Sequence, residues 1–113
     1  MAGFAPMRVG KGGAFQIALS TTNLYRSGNT STITTGSVSA TFTGGTAPYV
    51  SSWSVVSGDG ITSVNPTLPS TAFRRINTIP NDSYFGEATL NVTDALGKTA
   101  QSSIVYVQID RVL

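Results

Sequence analysis

Gly44-Gly45-Thr46-Ala47-Pro48-Tyr49-Val50-Ser51-Ser52-Trp53-Ser54 decides how this chain is read. Glycine tolerates positive φ and proline fixes its own φ, so Gly44 to Pro48 is a turn. Beyond it the residues alternate. Ser51, Trp53 and Val55 fall on one side of an extended backbone, and Ser52 and Ser54 on the other. A period of two marks a strand with one buried face. Trp53, the only Trp of the chain, is thereby directed into a core.

The same period recurs on both sides of this segment. Upstream, Val38, Ala40 and Phe42 oppose Ser37, Ser39, Thr41 and Thr43. Ala14 to Leu19 is a short apolar run and predicts the first strand, and Leu24-Tyr25 predicts a brief second one. Downstream, Ser57-Gly58-Asp59-Gly60 is a turn, followed by a short strand around Ile61 and Val64. Thr71 to Ile76 is a further strand, with Phe73 and Arg75 on one side and Ala72, Arg74 and Ile76 on the other. Ala88, Leu90 and Val92 alternate up to Thr93, and Asp94-Ala95-Leu96-Gly97-Lys98 is a hairpin connection. In the last strand, Ser103 to Ile109, Val105 and Val107 oppose Ile104, Tyr106 and Gln108. No segment has a 3.6-residue period. About seven to eight short strands at this spacing predict an all-β sandwich.

The chain has 113 residues, which suits one domain with its own core. Residues 14–113 are assigned to the sandwich and residues 1–13, Gly-rich and aperiodic, to an N-terminal arm. Only 11% of residues are charged, against about 25% in an average soluble domain. Ser and Thr supply roughly a quarter of the chain, a composition suited to strands and turns. The predicted centre of the core is Phe42, Trp53, Leu90, Val92 and Val105. Phe15, Tyr49, Phe73, Phe85 and Tyr106 are expected in or beside it.

Several function classes lose their chemistry at this point. There is no Cys, which removes disulfides and thiol chemistry, and no His, the commonest general base and metal ligand. Asp59, Asp82, Glu87, Asp94 and Asp110 are scattered, and those in turns are expected to cap their own backbone. No Asp-x-Asp-x-Asp loop suggests calcium. Gly10-Lys11-Gly12-Gly13 lacks the spacing of a phosphate-binding loop. The expectation is a non-enzymatic protein with no cofactor, no metal and no small-molecule substrate. No apolar run of h-region length follows Arg8 and Lys11, which predicts no secretory signal, and no run is long enough for a membrane helix.

The charge is uneven. Arg8, Lys11 and Arg26 all precede Asp59, the first acidic residue. Together with Arg74 and Arg75 they are the candidate partner-binding residues, for acidic neighbours rather than for nucleic acid. Two adjacent Arg on opposite faces of one strand make a poor nucleic-acid patch.

The turn and Trp strand (Gly44, Gly45, Pro48, Tyr49, Trp53) and the later Leu90, Val92, Asp94 and Gly97 carry a resemblance. They resemble the immunoglobulin-like modules of bacterial surface proteins and tailed-phage virion proteins, including the polycystic-kidney-disease type. The likeness spans roughly residues 37–109. It implies an immunoglobulin-like sandwich of antiparallel strands with Trp53 between the sheets. Such modules have a Tyr four residues before the Leu of the penultimate strand; here Gly86 stands there, and Phe85 or Tyr84 is expected to take its packing role. The resemblance implies a structural protein of the virion, a capsid decoration or a tail or neck component, assembled in the host cytoplasm. It would bind other virion proteins, and copies of itself, through its arm and sheet edges. The alternatives are a carbohydrate- or cell-surface-binding module outside the cell, with Tyr25 and Tyr84 stacking on sugars, and an adhesin spacer.

Overall fold

Residues 15–113 are described by a computed structural model, and their backbone is extended wherever apolar and Ser/Thr residues alternate cleanly. Among the described residues there are eleven strand segments and no helix. The fold is all-β, with sheets that enclose a shared core in the manner of a sandwich.

One sheet is built on β9 (Ser83–Thr93). Its inward positions are Tyr84, Gly86, Ala88, Leu90 and Val92, all buried. β5 (Val50–Val56) lies antiparallel along one edge, which sets Trp53 opposite Leu90. β11 (Val105–Arg111) and β10 (Thr99–Gln101) share the other edge. Between them Ser102 keeps the ladder intact. Its N–H donates to the Leu90 carbonyl (2.9 Å) and its hydroxyl accepts the Leu90 N–H (2.8 Å). β2 (Asn23–Gly28) completes this sheet beside β11. The two run parallel, which corrects the expectation of antiparallel strands throughout.

The opposing layer has two consecutive halves. β1 (Gln16–Leu19), β4 (Val38–Thr43) and β7 (Ser70–Thr71) pair in that order. β3 (Ile33–Thr34), β8 (Phe73–Arg75) and β6 (Thr62–Ser63) form the other half. Thr35 joins the halves. Its N–H donates to the Phe73 carbonyl (2.8 Å), and its hydroxyl accepts the Phe73 N–H (3.1 Å). Such breaks, at residues 35–37, Ala72 and 102–104, divide longer strands and raise the number of segments above the seven to eight expected.

The core fills the space between the layers. Val38, Ile61 and Phe73 meet Trp53, Leu90, Val105 and Ile109, all buried. The Trp53 and Phe73 rings meet edge to face at 5.7 Å and 87°. Trp53, Leu90, Val92 and Val105 lie in this cluster, whereas Phe42 is partly buried at its margin. Phe42 precedes the Gly44-Gly45 turn and packs with Tyr49 (5.0 Å), which in turn packs with Phe15 (5.6 Å).

Asp94 locks that end of the molecule. One carboxylate oxygen accepts the N–H of Leu96 (3.0 Å) and Lys98 (2.7 Å) within its own hairpin, and the other accepts Thr46 N–H (2.9 Å) from the Gly44–Pro48 turn. Gly45, at φ 68°, leaves room for this contact. A Cβ there would stand 3.2 Å from the Tyr49 ring and 3.3 Å from Asp94 Oδ2. Burial opposes ionisation of Asp94, but the N–H groups of Lys98, Thr46 and Leu96 outweigh it and hold the carboxyl below its ordinary range.

Two predictions arise here. Trp53→Ala removes the side chain that fills the space between layers and should cost about 3–5 kcal/mol in chemical denaturation; unchanged stability would contradict its place in the core. A folded-state pKa below the unfolded value means that the unfolded chain takes up the proton first. Stability is therefore complete above the unfolded Asp value of about 3.9 and falls as pH drops below it. Asp94→Asn should flatten part of this acid loss in a pH series of melting temperatures, and an equal acid slope in both proteins would count against the cap.

Candidate functional site

The outer face of the β2–β11–β9–β5 sheet carries what the core does not absorb. Strand register sorts it into two rows. Gln108 stands between Tyr25 and Phe85, and Tyr106 between Asn23 and Glu87, with Val56 beyond Glu87. Tyr25, Phe85 and Tyr106 are each more than half exposed, at 58%, 54% and 51%. They line a groove of about 590 Å³ that crosses the sheet from Asn23 to Asp59.

One wall of the groove is the Ser57–Gly60 turn, held down on β9. Ser57 Oγ donates to the Phe85 carbonyl (2.7 Å), and Asp59 Oδ2 accepts the Phe85 N–H (2.9 Å). Ser57 Oγ also accepts the Asp59 N–H (3.1 Å). Arg75 braces the turn from the side. Its guanidinium lies 4.5 Å over the Tyr84 ring and its Nε donates to the Asp59 carbonyl. Gly60, at φ 78°, passes so close to Arg75 that a Cβ would lie 3.2 Å from Nε.

At the other wall Tyr25 donates its phenol to Asp110 (2.8 Å), and Gln108 Nε2 donates to the same carboxylate at 3.2 Å. The bond to Asp110 raises the Tyr25 phenol above its ordinary pKa. Donation from Gln108, then from Ser83 and Tyr25, holds the Asp110 carboxyl below its own.

The candidate residues read from sequence fall in different places. Arg75 is half-buried and engaged with Tyr84 and Asp59. Arg74 is exposed on the opposite side of β8, and Arg26 is exposed one position along β2 from Tyr25, on the alternate face. Arg8, Lys11 and the proposed arm lie outside the described residues. Among the described residues, no Lys or Arg lines the groove.

Three aromatics correct the sequence expectation. Phe85 and Tyr106, expected near the core, face solvent. Tyr84, offered as a sugar-stacking surface residue, is 4% exposed, and its hydroxyl accepts the Ile79 N–H (2.8 Å). β9 begins at Ser83, not Ala88, so alternation turns Tyr84 inward and Phe85 outward. Of the two residues expected to take the missing aromatic's role, Tyr84 is the buried one. The signal for Tyr106 and Gln108 was present in the outward side of the last strand; nothing local marked Glu87 or Val56 as their neighbours.

Chemically the groove offers ring faces, amides and carboxylates. Among the described residues no three His, Cys, Asp or Glu side chains gather as a metal site. No helix of the described residues is long and apolar enough to cross a membrane. Comparison of the chain with protein families, with characterised proteins and with solved structures found no match.

Because Phe85 and Tyr106 rest on the surface, Phe85→Ser and Tyr106→Ser should each change stability by no more than about 1 kcal/mol. Denaturation curves check this, and a loss of core-like size would place these rings in the packing.

Proposed function

We propose that this chain is a non-enzymatic, immunoglobulin-like structural module of a tailed-phage particle, as a capsid decoration or a tail or neck component. It binds neighbouring virion proteins and is assembled with them in the host cytoplasm. The observation that carries the binding role is the open sheet edge. Among the described residues β1 pairs only with β4 and β2 only with β11, so each leaves one row of backbone groups able to add a further strand.

Several features support the immunoglobulin-like part of the reading. The Trp strand β5 pairs with the long strand β9, and the sheet continues through the last strand to β2. Trp53 points between the layers. Tyr84, near the start of β9, bonds back to the Ile79 backbone upstream, as the tyrosine corner of such sandwiches does. The virion setting rests on the sequence resemblance, and the arm of residues 1–13 belongs to that expectation.

A second reading is favoured by Tyr25, Phe85 and Tyr106. Exposed rings beside amides and carboxylates also suit a carbohydrate on a cell surface.

Mass spectrometry of particles purified from cultures that encode the chain separates the two. The structural reading expects its peptides in the particle fraction at many copies per particle. Recovery only in the particle-free supernatant, with specific retention on a glycan array, would overturn it in favour of the second.

A further inference from the structure

The chemistry of the groove selects a cationic occupant. Asp59 and Glu87 line it beside the exposed faces of Tyr25, Phe85 and Tyr106. Carboxylates next to aromatic faces attract ammonium and guanidinium groups by Coulomb attraction and cation–π contact. An anionic ligand would meet two like charges there and no compensating Lys or Arg among the described residues.

The chain itself carries a segment of the opposite kind. Residues 1–13 contain Arg8 and Lys11, no acidic residue, and the apolar Phe4, Met7 and Val9. This segment lies outside the described residues, but the point where it joins the domain does not. Phe15 packs on Tyr49 at 5.6 Å, and Gly45 sits against both Phe15 and Asp94. The segment therefore joins the domain beside the β9–β10 hairpin.

The groove lies toward the opposite end of β9. The seven residue steps from Glu87 to Asp94 span about 23 Å. Lys11, four residues before Phe15, commands at most about 14 Å of backbone. Its backbone stops short of its own domain's groove, which disfavours seating Arg8 and Lys11 there together. A neighbouring molecule has no such restriction.

We propose that the groove receives the Arg8–Lys11 segment of a second copy of this chain. The proposal rests on the assembly reading above and deepens it by naming one partner. Every copy carries both an arm and a groove, so the contact either closes by reciprocal exchange between two copies or propagates into a ring or a filament.

Sedimentation velocity on the full chain, over a concentration series at low and high salt, tests this. Dimers or larger species should grow with concentration at low salt and dissociate at high salt, where the charges are screened. Glu87→Lys alone, and Arg8→Glu with Lys11→Glu, should each weaken association about tenfold or more. All three changes in one chain should restore it, because every copy contributes both an arm and a groove. Glu87 is exposed, and matching melting curves verify that the variants fold. A full chain that stays monomeric at low salt overturns the proposal. So do charge variants that associate as the wild type does, or a triple variant that stays apart. A monomer still found in particles sinks this proposal and leaves the assembly reading standing. Charge-dependent self-association in a chain absent from particles does the reverse.

Discussion

The Trp53 side chain leaves β5, crosses the space between the layers and meets Phe73 of the opposing layer edge to face at 5.7 Å. Its indole N–H donates to the Leu68 carbonyl (2.9 Å), and its backbone N–H donates to the Pro66 carbonyl (2.7 Å). A buried indole needs a partner for its one polar atom, because an unpaired donor inside a protein costs on the order of 1–3 kcal/mol. Satisfying it draws the 64–69 segment along the open edge of β5, where Ser51 Oγ also donates to Thr67 O (3.0 Å). One side chain thus joins the layers and covers an otherwise open edge. The register of β5 on β9 follows, since a shift of one residue would turn Trp53 to solvent.

From that packing the outer face is determined. With Trp53 inward, Val56 points outward opposite Glu87, and the turn after it falls on Phe85. Arg75 illustrates how interior and surface are linked. It lies on the same strand as Phe73, stacks on Tyr84 and grips the carbonyl of Asp59. The strand that supplies the core ring thereby also holds one wall of the groove. A binding surface mounted on a sheet and braced in this way is organised before any ligand arrives, which reduces the ordering cost of binding.

Legibility in the sequence followed the regularity of local alternation. Val38/Ala40/Phe42, Ser51/Trp53/Val55 and Ala88/Leu90/Val92 each read as one face, because one side of the strand meets the core and the other water. Ser83 to Glu87 did not, because Gly86 puts no side chain on the inward face. The reason lies across the sheet, where Ser57 and Ile61 would stand 3.3 and 3.4 Å from a Cβ at Gly86. With that position silent, the frame of Tyr84 and Phe85 was undetermined and the two were exchanged. The parallel pairing of β2 with β11 joins residues at opposite ends of the chain, a contact no local pattern announces. The turn role of Asp94 was readable from its hairpin; its bond to Thr46, 48 residues away, was not. Of the groove's rings only Tyr25 was legible as a surface residue, since the assembly of the groove depends on register between separate strands.

The fold stands on the enclosure of Trp53, and the chain has a single Trp, so its indole N–H gives one resonance in a proton spectrum. Hydrogen exchange at that resonance is the most direct measurement. Bonded to Leu68 and packed against Phe73, the indole N–H should exchange only through near-global unfolding, in step with the slowest core amides such as Leu90. Exchange as fast as that of a free indole would contradict the account, because Trp53 would then lie outside the core that positions everything else.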